Sequence, residues 1–200
     1  EDDNETFAIT YTADIEDNFW NDLKNEEKTY KNVVNWNNVR TESQETTVKR
    51  KTSILSKEGE QLQEKDAQGN TIYKNQVRYY VTINPAGKKL NDGKNLTLVD
   101  KLNNIESDKV TVDLITDKVK LYGYNMENTS DHCKGKEFSA SAFQFNYNNM
   151  EHAFTVTIPD EVPCVLEYVY EIKSMNATEI KFNNTVSLTG VAGSETHNTV

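Results

Sequence analysis

The chain has 200 residues, of which 36% are hydrophobic and 27% are charged, and its formal net charge is −10. This length suffices for one domain with a sizeable core or for two small domains. The negative charge argues against a nucleic-acid partner and against an anionic membrane surface, because both require basic patches. No run approaches the ~18 apolar residues of a membrane span, so we expect no membrane insertion of this segment.

Composition points to an extracellular all-β protein. Asn, Thr and Tyr are abundant and only three prolines occur, a polar composition that suits β-strands. The chain begins Glu1-Asp2-Asp3 and shows neither a signal peptide nor a sortase-type anchoring motif. We therefore expect a segment of a longer protein.

The first 46 residues predict strands around a short turn. Residues 7–15 alternate in polarity as a strand does, and residues 30–36 (YKNVVNW) form a second apolar-rich run. Between them, residues 17–27 predict a short helical turn capped by Asp17.

Residues 30–36 also match a later stretch. They align without a gap with residues 182–188 (FNNTVSL), so that Asn32 meets Asn184 at an offset of 184 − 32 = 152 residues. Further correspondences flank this match: Tyr11 with Tyr168, Ile15 with Ile172, and residues 45–48 with 195–200. The pattern indicates an internal repeat, as in a tandem array. A chance similarity between two strands of like composition is the alternative.

The remainder of the chain predicts about nine short strands separated by turns. Turn signals are the Gly59 position, residues 84–87 (NPAG) and residues 91–94 (NDGK), and residues 125–142 predict a loop. Residues 110–114 and 118–124 predict a hairpin, and Pro159 should end a strand. The strands fall at 48–55, 77–83, 96–102, 110–114, 118–124, 143–147, 153–158, 165–172 and 181–189. This spacing, with almost no helical periodicity, predicts an immunoglobulin-like β-sandwich.

Three of these strands carry a polar residue in an apolar row. Because side chains alternate faces along a strand, Asn184 shares a side with Phe182, Val186 and Leu188. Asp100 occurs in the same way among Leu96, Leu98 and Leu102, and Lys57 shares parity with Leu55. A lysine, an acid and an asparagine aimed inward from separate strands are the parts of an intramolecular isopeptide bond. A buried Lys57–Asp100 salt bridge, with Asn184 hydrogen-bonded nearby, is the alternative.

Several of these segments occur together in one known family. Lys57 with Gly59, the 79–83 strand, LTLVDKL, FTVTIP and FNNTVSL follow the order seen in collagen-adhesin-type (Cna-like) isopeptide domains, which this chain resembles over residues 47–190. Those domains are immunoglobulin-like modules of Gram-positive surface adhesins and pili. The resemblance implies a bond from Lys57 to Asn184, promoted by Asp100.

The chemistry would be a single-turnover maturation step, so we expect no enzymatic activity. Burial lowers the pKa of a lysine and raises the pKa of an aspartate, which suits the neutral Lys57 amine as nucleophile and protonated Asp100 as proton shuttle. Asn183 is the alternative acceptor, on condition that its strand carries a bulge. Asn32 should be unlinked, because the segment upstream of it holds no lysine partner.

The repeat and the resemblance together predict the modular organisation. Residues 1–46 would be the closing strands of a preceding module, residues 47–190 one whole module, and residues 191–200 a linker or the start of the next module. Cys133 and Cys164 could form a disulfide, which an oxidising exterior permits, or remain two free thiols.

No other chemistry is indicated. The three histidines show no metal-ligand spacing, and nucleotide-binding and hydrolase motifs are missing, so we expect neither metal nor cofactor.

Two functions fit these observations. The first is a structural stalk module of a cell-wall-attached adhesin or pilus, with neighbouring modules of the same chain as its partners. The second is a ligand-binding adhesin domain for a host extracellular-matrix protein, with Tyr122, Tyr124 and Phe138 as a candidate aromatic surface. The regular repeat favours the stalk.

Overall fold

The computed structural model describes residues 8–15, 27–36, 40–49, 53–103, 105, 109–175, 179–191 and 195–200. The chain divides into two compact units, Glu1–Arg50 and Lys51–Val200. The boundary lies close to the one predicted at residue 46. Whether the first unit belongs to a preceding module stays a prediction.

The first unit contains a β-hairpin. Its strands are β1 (Glu27–Trp36) and β2 (Arg40–Lys49), which pair antiparallel so that Asn32 lies opposite Gln44. Residues 8–15, predicted as part of a strand, form no strand and pair with no described strand. The helical turn predicted at residues 17–27 falls almost entirely outside the described residues.

The second unit is built from eleven described strands and four short 3₁₀ turns. The turns are Thr116–Lys118, Thr129–Asp131, Ala140–Ala142 and Asn149–Glu151. The strands are β3 (Leu55–Lys65), β4 (Thr71–Ile83), β5 (Leu96–Asn103), β6 (Val110–Leu114), β7 (Lys120–Tyr124), β8 (Lys134–Glu137), β9 (Gln144–Asn148), β10 (Ala153–Ile158), β11 (Cys164–Met175), β12 (Asn183–Leu188) and β13 (Glu195–Thr199). Within the described part of the chain, no helix is long and apolar enough to cross a membrane.

These strands form two antiparallel sheets that share one core. The first sheet has the order β3-β4-β11-β7-β8, with β6 also pairing with β11, and the second has the order β13-β12-β5-β10-β9. Alternate residues of β5, β10 and β12 are buried, as the sequence pattern requires of strands with one face on a core. The core joins side chains of both sheets, including Tyr79 and Tyr168 from the first and Phe154 and Val186 from the second. The predicted all-β, immunoglobulin-like sandwich is confirmed.

The predicted hairpin at residues 110–124 is wrong. Strands β6 and β7 exist, but each pairs with β11 instead of with the other. Because β11 is 12 residues long, it offers Tyr170–Met175 to β6 and Cys164–Glu167 to β7. The two segments therefore follow one another along the same neighbour, and the 3₁₀ turn joins them.

The secondary structure predicted for two polar segments is also wrong. Residues 125–142, predicted as a loop, contain strand β8. The strand predicted at 48–55 is instead the end of β2 and the start of β3, and β3 continues through a polar stretch to Lys65. Such segments lie at sheet edges, where a strand needs few apolar residues.

Residues 191–200, expected to form a linker or the start of another module, contribute β13 to the sandwich. Residues 195–199 pair with β12, and the backbone groups of Phe182 and Val200 exchange two hydrogen bonds of 2.9 and 3.0 Å. Strand β13 is polar and alternates only between exposed and partly buried residues, which suits an edge strand but not a core strand.

Gly59 does not form the turn that the sequence suggested. It lies inside β3, opposite Tyr79 on β4. A Cβ atom at this position would stand 2.5 Å from Val200 Cγ2 and 2.7 Å from both Asn198 Oδ1 and Tyr79 Cε1. Glycine is therefore needed because β13 and the Tyr79 ring approach the backbone closely.

Candidate functional site

The three polar residues singled out from the sequence meet in the core between the sheets. Lys57 comes from β3 in one sheet, whereas Asp100 and Asn184 come from the adjacent strands β5 and β12 in the other. Asp100 and Asn184 have no exposed surface and Lys57 is 7% exposed. The strand alternation thus placed all three correctly on the inward face.

A chain of hydrogen bonds links these residues through Tyr168 on β11. The Lys57 ammonium donates to Asp100 Oδ2, and the Tyr168 hydroxyl donates to the same oxygen at 2.5 Å. The Asn184 amide Nδ2 donates to the Tyr168 hydroxyl at 3.0 Å. The carboxylate therefore contacts the amine directly, and the Tyr168 hydroxyl bridges the carboxylate and the carboxamide.

Two oxygen atoms of this cluster are buried without a hydrogen-bond partner among the described residues. They are Oδ1 of Asp100 and Oδ1 of Asn184. An unsatisfied buried acceptor costs about 1–3 kcal/mol.

Aromatic rings enclose the amine. Lys57 Nζ lies 4.9 Å from the ring centroid of Tyr79 and 5.3 Å from that of Tyr168. The two tyrosine rings stack with centroids 5.5 Å apart, and Phe154 packs edge-on against Tyr168 at 4.8 Å. The rings attract the cation weakly and keep water away from it, so burial dominates the electrostatics of the site.

Burial shifts the protonation equilibria toward neutral groups. It lowers the pKa of Lys57 from 10.5 to about 8, although Asp100 opposes the shift. It raises the pKa of Asp100, against the opposing effects of Lys57, Tyr168 and Asn184. Burial also raises the pKa of Tyr168 well above its usual value, so this hydroxyl keeps its proton. A neutral amine beside a neutral acid is the pair that attack on an amide requires.

Asn183, the alternative acceptor, lies on the other face of β12. The pairing of β12 with β5 runs without a bulge from Asn183 opposite Asn103 to Leu188 opposite Leu98. The Asn103 amide donates instead to Thr185 at 2.8 Å on that same outer face. Of the two asparagines, Asn184 is therefore the one on the face of β12 that carries the buried cluster.

Tyr168 is a member of the site that the sequence pattern did not predict. In the sequence it stands out only as the counterpart of Tyr11 in the repeat. Alternation gave no signal, because every residue of β11 from Cys164 to Tyr170 is buried; the usable clue is that a buried tyrosine hydroxyl needs a partner.

The first unit repeats the tyrosine–asparagine contact. The Asn32 amide Nδ2 donates to the hydroxyl of Tyr11, as Asn184 does to Tyr168. Tyr11 is 64% exposed, whereas Tyr168 is fully buried. Of the residues described in this unit, none supplies a lysine or an acid to Asn32 in the way that Lys57 and Asp100 surround Asn184.

Cys133 and Cys164 are both free thiols, so the disulfide considered from the sequence is not formed. Cys164 is fully buried in the core between the sheets. Cys133 lies in the partly exposed turn before β8, between His132, which stacks on Tyr80, and Lys134, which pairs with Glu167. Burial raises the pKa of Cys164 to about 12, which keeps its thiol protonated and unreactive.

Over the described ranges, no group of three or more His, Cys, Asp or Glu side chains is placed to hold a metal ion.

Comparisons with known proteins returned solved structures alone. No family model and no curated protein matches the chain. The collagen adhesin (CNA) from S. aureus is similar at 16% identity and a TM-score of 0.49, with 80% of this chain and 54% of that chain covered. This chain thus spans about half the length of that structure. ACE19, the collagen binding subdomain of the Enterococcus faecalis surface protein ACE, is similar at 13% identity and a TM-score of 0.49, covering 76% of this chain and 97% of that one. A collagen-binding domain from a Staphylococcus aureus adhesin covers 74% and 96% at 17% identity, with a TM-score of 0.46.

Proposed function

We propose that this chain is a structural module of a bacterial surface adhesin or pilus, stabilised by an intramolecular isopeptide bond between Lys57 and Asn184. The observation that carries the proposal is the fully buried cluster of a lysine, an aspartate and an asparagine between two sheets. Each residue comes from a different strand, so only the folded chain brings them together.

The reaction needs no cofactor. The neutral Lys57 amine attacks the side-chain carbonyl carbon of Asn184, and the amide nitrogen leaves as ammonia. Asp100 accepts a proton from the amine and supplies one to the departing nitrogen. Folding supplies the proximity of the two reactants, which replaces a very large effective concentration. Since the product stays in the core, each chain reacts once, and the module is not an enzyme.

The alternative interpretation of the cluster is a permanent salt bridge. A buried ion pair is weak support for stability, because desolvation offsets the attraction of the two charges. Here burial favours the neutral forms of both partners, and an asparagine with an unsatisfied carbonyl oxygen adjoins them. These features serve the amide-forming reaction and bring no advantage to a salt bridge.

The role of a stalk follows from where the bond would lie. It would tie β3, near the beginning of the sandwich, to β12, near its end, and thus join the two sheets across the core. The second tyrosine–asparagine contact, in the first unit, supports an array of related modules. We propose neighbouring modules of the same chain as partners and an extracellular, cell-wall-attached location.

Binding to a host matrix protein is the second candidate function. Two of the three aromatic residues considered for it, Phe138 and Tyr122, make contacts within the domain. Phe138 packs against the core, and Lys134 Nζ lies 5.0 Å from the ring centroid of Tyr122. These contacts engage two of the three proposed side chains within the domain.

Intact mass tests the isopeptide bond. Purified under reducing conditions, the chain should be about 17 Da lighter than its sequence, the mass of one ammonia lost per amide formed. Fragmentation of the digested protein should show Lys57 joined to Asn184. The Asn184→Ala variant, which has no acceptor, should keep the full mass of its sequence. A parent chain at its full sequence mass would exclude the bond.

A further inference from the structure

The Tyr168 hydroxyl occupies the position between the acid and the amide of the proposed reaction. It donates to Asp100 Oδ2 at 2.5 Å and accepts from Asn184 Nδ2 at 3.0 Å. Nδ2 is the atom that must leave as ammonia when the bond forms. This hydrogen bond places the nitrogen one hydroxyl away from the carboxylate oxygen Oδ2.

We propose that Tyr168 is a catalytic residue of the crosslink, which relays a proton from Asp100 to the departing nitrogen of Asn184. The inference rests on the proposed isopeptide bond and assigns a step within it. Asparagine nitrogen is a poor leaving group unless it is protonated, so delivery of this proton controls the breakdown of the tetrahedral intermediate.

The relay balances in atoms and charge. The Lys57 nitrogen forms its bond to Asn184 Cγ and gives one proton to Asp100. Asp100 gives its own proton, carried on Oδ2, to the Tyr168 oxygen, and Tyr168 passes its hydroxyl proton to Nδ2. Both hydrogen bonds of the resting structure, from Tyr168 to Oδ2 and from Nδ2 to Tyr168, reverse direction during this step. The Cγ–Nδ2 bond then breaks with its electron pair on nitrogen, and ammonia leaves. Tyrosine and aspartic acid end in the protonation states in which they began, so no co-reactant is required.

Tyr79 offers a matched comparison. It is as fully buried as Tyr168, its ring stacks on the Tyr168 ring, and both rings face the Lys57 amine. Its hydroxyl, however, has no hydrogen-bond partner among the residues that the structure describes. Removing the oxygen from either residue makes the same change in volume, but only at position 168 does it interrupt the relay.

The experiment measures the rate of crosslinking during synthesis of the full chain. Parent, Tyr168→Phe and Tyr79→Phe chains are made by cell-free translation, quenched in acid at intervals, and weighed by intact-mass spectrometry. We expect Tyr168→Phe to lose ammonia about 100-fold more slowly than the parent, as removal of a general acid does. Tyr79→Phe should match the parent. Equal rates for all three chains, or equal slowing of both variants, would overturn the relay.

Further measurements separate the relay from a folding defect and from the crosslink itself. Both tyrosine variants are melted in a Lys57→Met background, where no chain can crosslink, and similar midpoints would assign the rate difference to chemistry.

The parent reaction should also be slower in D₂O, with a curved proton inventory, because more than one proton moves. A parent rate unchanged in D₂O would overturn the relay even if Tyr168→Phe does not fold. A parent that never loses 17 Da would instead overturn the proposed function.

Discussion

The Lys57 ammonium donates to Asp100 Oδ2 in a pair that has no exposed side-chain surface on either member. Because neither group is solvated there, transfer of one proton from the Lys57 ammonium to the Asp100 carboxylate replaces two buried charges with two neutral groups. The neutral pair is the reactive one, since only an unprotonated lysine is a nucleophile. The buried pair is thus the resting form of the proposed reaction.

Replacing Asp100 by alanine should therefore leave the chain folded but unlinked. Without the carboxylate, no group beside Lys57 can take its proton or pass one toward Asn184. Intact mass should equal the sequence mass of the variant. Asp113→Ala is the control, because Asp113 is a partly buried acid whose partner is Lys173 at 2.7 Å. Complete crosslinking of Asp100→Ala would show that another group promotes the reaction.

The inward positions of Lys57, Asp100 and Asn184 could be predicted from sequence because strand alternation is strict. Each interrupts a row of apolar residues, and a buried polar group needs a partner. Tyr168 was less visible, since tyrosine is common in cores and its parity with Leu166 does not distinguish a structural hydroxyl from a catalytic one.

Edge strands and close contacts were harder to predict. Strand β13 is polar along its whole length and is recognised only by its pairing with β12. Gly59 was assigned to a turn because glycine marks turns more often than close packing. Its real role depends on Val200, which is 141 residues away in the sequence (200 − 59). No local sequence pattern can predict a contact between residues so far apart in the chain.

Gly59→Ala should destabilise the sandwich. The new methyl group would overlap Val200, Asn198 and the Tyr79 ring, all within 2.7 Å of its ideal position. Overpacking of this kind costs typically about 1–3 kcal/mol. Urea denaturation in the unlinked Lys57→Met background would measure the loss. Gly123→Ala is the control, because its Cβ would have no neighbour closer than 3.8 Å. Equal stability of the two variants would show that β13 does not pack on β3 as described.

The unlinked Asn184→Ala variant should become more stable between about pH 8 and 10.5. In the folded chain the pKa of Lys57 is lowered from 10.5 to about 8. Within that window the unfolded chain binds more protons than the folded chain, so the free energy of unfolding rises with pH. The full rise is about 3 kcal/mol. Asp100 has the opposite effect at lower pH. Its pKa is raised in the folded chain, so the free energy of unfolding falls as the pH increases through the folded-state pKa of Asp100.

Urea denaturation of the variant and the parent at several pH values would measure this effect. In the crosslinked parent the Lys57 nitrogen is an amide and does not titrate, so the rise should be missing. Other lysines and tyrosines titrate in both chains and cancel in the comparison. A variant whose stability follows that of the parent across the window would contradict a lowered pKa for Lys57.

Lys57→Met should melt well below the parent in the presence of reductant. The bond closes a loop of 184 − 57 = 127 residues, and by the chain-entropy estimate used for disulfides such closure contributes roughly 4–5 kcal/mol. Methionine keeps the apolar stem of the lysine, so the comparison isolates the bond. Lys65→Met is the control, since Lys65 is an exposed residue of the same strand. Calorimetry that gives the same midpoint for parent and Lys57→Met would show that no bond stabilises the fold.

Mechanical extension provides the most direct test of the stalk role. When the ends of the chain are pulled, force in the parent passes from β3 through the Lys57–Asn184 bond into β12, and the 126 residues between Lys57 and Asn184 (58–183) carry no load. In Lys57→Met those residues unfold and lengthen the tether by roughly 400 Å, at about 3.3–3.6 Å per residue. Single-molecule force spectroscopy resolves this difference, with Lys65→Met expected to extend like the parent. If parent and Lys57→Met reach the same length, load travels through the noncovalent sheets alone, and a stalk that depends on an internal covalent bond is excluded.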